Sequence, residues 1–325
     1  MVKRSLLFWI LAILITLLSA AYQRLTGPTY PLSGTTHLGG QTVDFRLDRS
    51  HGGTDDHEVR IVTPSADITG RLEWKRHKTN DEWTVMEMRA VDGALTGKLP
   101  HQPPAGKLDY RVELRSGEQV TFLPPTGGIV IRFKGDVPLF ILIPHVIAMF
   151  FGMLHSTRAG LEIFGSGEKL RPMIYWTLGL LGIGGLILGP IVQKYAFGAY
   201  WTGWPFGHDL TDNKTLVAFL GWVAAAVALH KGHYPGRWAM GAAVVTLIVF
   251  LIPHSVLGSE LKYEETDRAT TPAARQTASP LDASRTLTHH LQIEDAVVAL
   301  QCADDRHATH HPSHDRVSSV QMWLG

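Results

Sequence analysis

The sequence has very little cysteine, very little excess charge and few charged residues inside its apolar segments. The single cysteine, Cys302, excludes an internal disulfide and a cysteine-rich metal site. The formal net charge is +1, so no general excess of basic residues points to nucleic acid, which is not an expected partner. Within the apolar segments we find histidine but no other deep ionisable residue. This scarcity argues against a transporter or a membrane enzyme.

Long apolar runs lie at the N-terminus and in the second half of the chain. Residues 6–22 form one such run after Lys3 and Arg4. They are either a retained signal anchor, which we favour, or a cleavable signal, since residues 19–21 are small. About 20 apolar residues span a bilayer. The other segments, the third of which extends outward to Leu210, are 137–155, 173–192, 216–230 and 238–257.

The basic residues that flank these segments predict their direction. Positively charged loops remain in the cytoplasm. The residues that mark this side are Lys3, Arg4, Arg158, Lys169, Arg171, Lys231 and Arg237. We therefore predict a protein of a bacterial-type inner (plasma) membrane, in contact with membrane lipid. Its predicted parts are a signal anchor or signal peptide (1–22), an extracytoplasmic β domain (23–136), a four-helix transmembrane domain (137–257) and a disordered, histidine-rich extracytoplasmic tail (258–325).

The predicted β domain consists of short alternating strands separated by turn residues. The candidate strands are 42–47, 58–62, 71–74, 84–88, 109–114, 118–123 and 130–133. About seven strands in about 100 residues favour a two-sheet sandwich. Trp74 stands where a sandwich places a core tryptophan, and Tyr110 begins a strand after a turn-rich segment.

These two residues resemble the core tryptophan and tyrosine corner of immunoglobulin-like and fibronectin type III domains, over about residues 30–133. The resemblance implies an all-β sandwich and a binding role, and it does not by itself imply an activity. The domain lacks a serine nucleophile motif and a glycine-rich phosphate loop. A polar loop with His51, Asp55, Asp56 and His57 is a weak metal candidate, and we favour a solvated loop there.

Paired histidines in the apolar segments suggest a haem hypothesis. Leu-Ile-Pro-His occurs twice, ending at His145 and at His254, and both copies fall in the outer half of the bilayer. His155 and His230 form a similar pair in the inner half. Haem iron accepts imidazole as an axial ligand. Two pairs would hold two haem b groups and pass electrons across the membrane, although His155 and His230 also suit the cytoplasmic ends of helices.

Small residues could either make room for a flat ligand or serve helix packing. Ala148 and Gly152 lie close to the His145 face of its helix and leave space there. The segment 173–192 also carries a glycine face, for which helix packing is our preferred interpretation. The glycines of that face are Gly179, Gly182, Gly185 and Gly189.

A second candidate site lies between the second and third segments of the four-helix domain. His208, Asp209 and Asp212 could bind a divalent metal together with His145 or His254. The alternative is that the aspartates cap the helix that follows, which we favour for at least one of them. In the tail, His307, His310, His311 and His314 have metal-like spacing without other signs of a fold.

Three hypotheses follow. The first, which we favour, is an accessory or assembly subunit of a membrane complex, whose β domain or bundle binds a protein partner. The second is a b-type haem protein that transfers electrons. The third is a metal-binding membrane protein or a transporter.

Overall fold

The computed structural model describes residues 2–253, 258, 260–263 and 267. A sheet domain follows the first helix and precedes five further helices. The helices are α1 (Val2–Thr26), α2 (Leu139–Leu161), α3 (Leu170–Leu181), α4 (Gly189–Phe197), α5 (Leu210–His230) and α6 (Pro235–Leu251). A 3-10 turn (Glu162–Phe164) follows α2, and a π-helical segment (Gly182–Leu188) joins α3 to α4.

The sheet domain contains eleven strands among the residues described. They are β1 (Leu32–Leu38), β2 (Gln41–Leu47), β3 (Ser50–Gly52), β4 (His57–Val62), β5 (Thr69–Arg76), β6 (Thr84–Glu87), β7 (Arg89–Val91), β8 (Ala94–Leu99), β9 (Lys107–Ser116), β10 (Gln119–Leu123) and β11 (Ile129–Lys134). The largest sheet has the order β3-β11-β9-β5-β6, and β10 also pairs with β9. The pair β1-β2 and the sheet β4-β8-β7 complete the domain.

One apolar core joins these sheets because buried and exposed positions alternate along their strands. In β2, Val43, Phe45 and Leu47 are buried and the residues between them are exposed. In β9, Leu108, Tyr110, Val112 and Leu114 are buried and the residues between them are half-buried. Successive strand residues point to opposite faces, so each strand turns one face to the core and the other to solvent.

The structure confirms that the N-terminal region is rich in strands, and it corrects one detail. Tyr110 is fully buried and its hydroxyl donates to the carbonyl of Asp48, 2.7 Å away. In a tyrosine corner that hydrogen bond returns to the backbone only a few residues upstream. The hydrogen bond of Tyr110 instead connects β9 to Asp48, just after β2. Trp74 is partly buried and packs against the edge of the core. The assignment to an immunoglobulin-like or fibronectin type III fold stays a prediction.

Four helical segments are long and apolar enough to cross a membrane, by length and composition. These segments are Arg4–Thr26, Leu139–Phe164, Leu170–Phe197 and Leu210–His230, and Pro235–Leu251 is a shorter apolar helix. The third predicted segment of the bundle begins at Leu210, as expected. The last one differs, because α6 ends at Leu251 and Ile252 is extended. A residue before proline is pushed out of the helical conformation, and Pro253 follows.

The helix ends next to the sheet domain form what we call the sheet end of the bundle. It contains the end of α1, the start of α2, the end of α4, the start of α5 and the end of α6. The backbone N–H of Gly135 donates to the carbonyl of Ala196 at 3.0 Å, and the side-chain amide of Gln23 donates to that of Ile252 at 3.1 Å. At the opposite, far end, the ammonium of Lys169 donates to the hydroxyl of Ser5 at 3.3 Å.

Arg158 has a different position from the one its sequence context predicts. It was expected in a cytoplasmic loop, but it lies in the last turn of α2 and is 1% exposed. Lys214, in the first turns of α5, is also buried. Both residues lie near the ends of their helices, so the helices bury basic side chains near their ends that the sequence reasoning did not expect.

Candidate functional site

His145 lies in the bundle and is held by a backbone carbonyl of another helical segment. It lies in α2, one residue after Pro144, and its Nδ1 is 2.8 Å from the carbonyl oxygen of Gly184. A carbonyl can only accept, so Nδ1 carries the proton and the lone pair is on Nε2. Metal-bound histidines commonly donate their other ring N–H to such a carbonyl. His145 therefore has the tautomer and the fixed orientation that an axial ligand needs.

The carbonyl that holds His145 belongs to the π-helical segment. The backbone N–H of Gly189 donates to the same oxygen of Gly184, the bond of a turn wider than an α-helix. The His145 ring also lies against Gly189, where an added Cβ would be 3.8 Å from its Cε1. Single π-helical turns inside α-helices are frequent at functional sites. Here a carbonyl of the widened turn accepts a hydrogen bond from the imidazole of His145 on α2.

The space predicted beside Ala148 and Gly152 is filled. A Cβ added to Gly184 would come within 2.9 Å of the Ala148 Cβ, and one on Gly152 within 3.0 Å of Leu181 Cδ2. The small residues let α2 approach α3 and the π-helical segment closely, as they do in other membrane bundles. They do not leave room for a flat ligand, which corrects that part of the haem hypothesis.

The glycine face is partly used in the same way. An added Cβ on Gly185 would meet Thr215 at 2.7 Å, and one on Gly182 would meet Phe219 at 3.4 Å. Both contacts are with α5. Gly179, by contrast, has open space around its Cβ position. Helix packing, the preferred interpretation, accounts for Gly182 and Gly185.

Each histidine of the inner pair has a hydrogen-bond partner of its own. The His155 Nδ1 is 2.8 Å from the Phe151 carbonyl of its own helix, and its ring lies 5.7 Å from that of Trp9. The His230 Nε2 is 2.8 Å from the hydroxyl of Tyr175. His230 is the last residue of α5, as the helix-end alternative expects, whereas α2 continues for six residues beyond His155. His254, the partner expected for His145, lies outside the described residues, as do the four tail histidines.

The two aspartates of the second candidate site hold the start of α5. Asp209 is the N-cap, and its carboxylate accepts from the backbone N–H of Thr211 at 2.8 Å. The Oδ2 of Asp212 accepts from the backbone N–H groups of Thr202 and Gly203 at 2.7 and 2.9 Å. His208 is exposed. Both carboxylates are thus engaged with the loop and the helix start, as the capping alternative predicts.

Metal-ligating geometry is not found in the described part of the chain, where no group of three or more histidine, cysteine, aspartate or glutamate side chains converges. The polar loop of the sheet domain does bring two histidines together: the Nδ1 atoms of His51 and His57 are 3.2 Å apart. Burial, with the nearby His51 as a second cause, lowers the pKa of His57 to about 4. That ring therefore stays neutral at ordinary pH.

Two polar elements of the bundle were missed from the sequence. The guanidinium of Arg158 donates to the carboxylate of Glu162, and both side chains are buried. The side chain of Gln193 donates to the Thr202 hydroxyl at 2.7 Å, beside Asp212. The four-residue spacing of Arg158 and Glu162, which places them on one helix face, was a usable signal. The contact of Gln193 joins a helix to a loop and has no local signature.

Comparisons with known proteins give one partial similarity. No protein-family model matches the chain, and no solved structure matches it. A curated protein, the cytochrome c biogenesis protein CcsA of Trachelium caeruleum, is 28% identical over 91 residues, which cover 26% of this chain. The matched part is also 26% of that protein, so this chain spans about a quarter of its relative's length. The similarity is to a part of each protein and does not establish a family.

Proposed function

We propose that this chain is an accessory membrane protein in the assembly of a c-type cytochrome, and that its bundle binds haem b with His145 as an axial ligand. The observation that carries the proposal is the hydrogen bond from His145 Nδ1 to Gly184, which leaves Nε2 as a ligating atom. The partial similarity to a cytochrome c biogenesis protein supports the same chemistry. Haem would supply a redox-active iron, and His145 would fix its position.

The histidines of the bundle fit one haem better than two. His145 has one nitrogen held and one free to ligate, whereas the Nε2 of His230 already has the Tyr175 hydroxyl as its partner. Transfer of electrons between two haem groups across the bundle is therefore the less supported alternative.

In this proposal the sheet domain is the part of the chain that binds a protein partner. It is fastened to the sheet end by the bond between Gly135 and Ala196 and by Arg132, whose guanidinium lies 3.7 Å from the centre of the Phe197 ring. A partner that docks on this domain would stand next to the haem end of the bundle. In a bacterial-type inner membrane with basic loops inside, the domain is extracytoplasmic.

Absorption spectra test the proposal directly. The full chain would be purified in detergent from cells able to supply haem, then recorded oxidised and dithionite-reduced. We expect a Soret band and sharp reduced bands in the wild type, loss of both in His145→Ala, and retention in the matched variants His155→Ala and His230→Ala. A colourless wild type, or an unchanged spectrum in His145→Ala, would overturn it.

A further inference from the structure

Four basic side chains gather at the sheet end of the bundle, on different elements. Arg24 is in the last turn of α1, Arg132 and Lys134 are on β11, and Lys214 is in the first turns of α5. Along β11, Ile131 and Phe133 point into the sheet core, so Arg132 and Lys134 share the opposite face. Arg132 turns that face towards the bundle, where it lies over Phe197.

Two of these cations have their charge offset by the protein. The ammonium of Lys214 donates to the Ile252 carbonyl at 2.7 Å. Arg132 lies in the field of Asp209 and Glu260. Lys107, the cross-strand neighbour of Arg132, pairs with Glu260 at 2.6 Å. Glu260 and Asp209 are thus already engaged by other groups.

The other two cations, Arg24 and Lys134, have no carboxylate partner within the described ranges 2–253, 258, 260–263 and 267. Lys134 is half-buried, and burial, followed by repulsion from Arg132 and Arg24, lowers its pKa to about 8. Arg24 has the ring of Tyr30 as its neighbour, 5.9 Å from guanidinium to ring centre. A half-buried lysine with cations as its charged neighbours is a group whose charged form a bound anion would stabilise.

We propose that Arg24 and Lys134, with Arg132 beside them, form a binding site for the phosphate of an anionic phospholipid at the sheet end of the bundle. The location suits this ligand, because α1 ends two residues after Arg24 and α2 begins five residues after Lys134. Helix ends of a membrane bundle lie at the level of lipid headgroups, and basic pockets between helices bind such headgroups. A headgroup there would join α1 to β11 and stiffen the junction of sheet domain and bundle.

Native mass spectrometry of the full chain in detergent tests this site. We would compare phosphatidylglycerol with phosphatidylcholine on the wild type, Lys134→Met, Arg24→Gln and a matched control, Lys98→Met, whose lysine is exposed on β8. The wild type and the control should prefer phosphatidylglycerol. Each of the other two variants should lose about fivefold in that preference, the effect of one basic side chain near a headgroup. Equal retention by all four proteins would overturn the proposal.

Two further measurements identify the anion: competition by inorganic phosphate and the haem spectrum of Lys134→Met. Inorganic phosphate at millimolar concentration should not displace the lipid, and full displacement would mean a site for a soluble anion instead. The haem spectrum of Lys134→Met should match that of the wild type. If Lys134→Met lost the haem bands but still bound phosphatidylglycerol like the wild type, Lys134 would bind the carboxylates of haem and not a lipid. That result would overturn the lipid site. A colourless protein that still binds phosphatidylglycerol would refute the haem proposal alone.

Discussion

Arg158 and Glu162 form an ion pair one helical turn apart at the end of α2, and both side chains are buried in the bundle. The guanidinium also lies 5.3 Å from the ring of Phe8 and 5.7 Å from that of Trp9, on α1. Charged groups within membrane bundles are stable when they pair and face the protein. This pair therefore ties α1 to α2 at the far end.

Breaking that pair should destabilise the bundle strongly. Glu162→Gln leaves the Arg158 guanidinium buried without its counter-charge, which costs about 3–5 kcal/mol. The free energy of unfolding in detergent would be measured beside Glu168→Gln, whose glutamate is exposed. Replacement of both partners by Met and Leu should cost less than Glu162→Gln alone. Equal stability of Glu162→Gln and Glu168→Gln would show that the pair contributes little.

The N-terminal helix should remain in the mature protein. Its small residues Ala12, Thr16 and Ser19 are buried, and Phe8 packs beside Arg158, so removal of α1 would uncover the ion pair. The intact mass of protein expressed with a C-terminal tag should match the uncleaved chain. A mass that lacks the residues up to 20 or 21 would instead establish a cleavable signal. This measurement decides between the two interpretations of residues 6–22.

His57 should make the sheet domain sensitive to acid. Its pKa in the folded chain is about 4 against an ordinary value of 6.5, so the unfolded chain binds the proton more readily. Stability is therefore full above pH 6.5 and falls as the pH drops towards 4, by about 3 kcal/mol in total for a shift of this size.

The His57 contribution is isolated by the variant His57→Leu. Thermal unfolding of the wild type between pH 7 and pH 4 should show the loss, and His57→Leu should show a flatter dependence. His208→Gln, which changes an exposed histidine, should keep the wild-type slope. A slope that is the same in all three proteins would rule out His57 as the origin.

The start of α5 should depend on Asp212 and not on a metal. Asp212→Ala leaves the backbone N–H groups of Thr202 and Gly203 without their acceptor, at a cost of about 1–3 kcal/mol. Asp212→Asn keeps an oxygen there and should lose less, while Glu118→Ala, at an exposed position, should be neutral. A chelator should not change the melting temperature. Stabilisation by zinc that disappears in Asp212→Asn would revive the metal-site hypothesis.

The sequence predicted the strand-rich region from the alternation of apolar and polar residues, and the apolar helices from long uninterrupted apolar runs. Strands β2, β4, β5 and β9 alternate clearly between apolar and polar residues and were found. Strand β1 was missed because Leu32–Leu38 consists mostly of small and polar residues, and β3 because Ser50–Gly52 is too short to show a period. The end of α6 was misplaced because the effect of Pro253 on Ile252 was not weighed against the apolar run.

The candidate site was only partly predictable for a related reason. His145 was recognisable as an ionisable residue in an apolar helix. Its partner is the backbone carbonyl of Gly184, and a backbone carbonyl leaves no sign in the sequence. The capping role of Asp209 followed from its position before a helix. The pairing of Arg158 with Glu162 was overlooked because both were assigned to a loop. Contacts between distant backbone and side-chain atoms need the fold before they can be seen.

Ligand replacement at His145 tests the haem-binding account most directly. His145→Gly removes the imidazole and leaves a space in which free imidazole can bind, while the rest of the bundle stays in place. We predict that His145→Gly lacks the haem spectrum of the wild type and that added imidazole restores it, with no such effect on His155→Gly. A His145→Gly protein that keeps its haem bands without imidazole, or a folded one that imidazole cannot restore, would contradict axial ligation by His145.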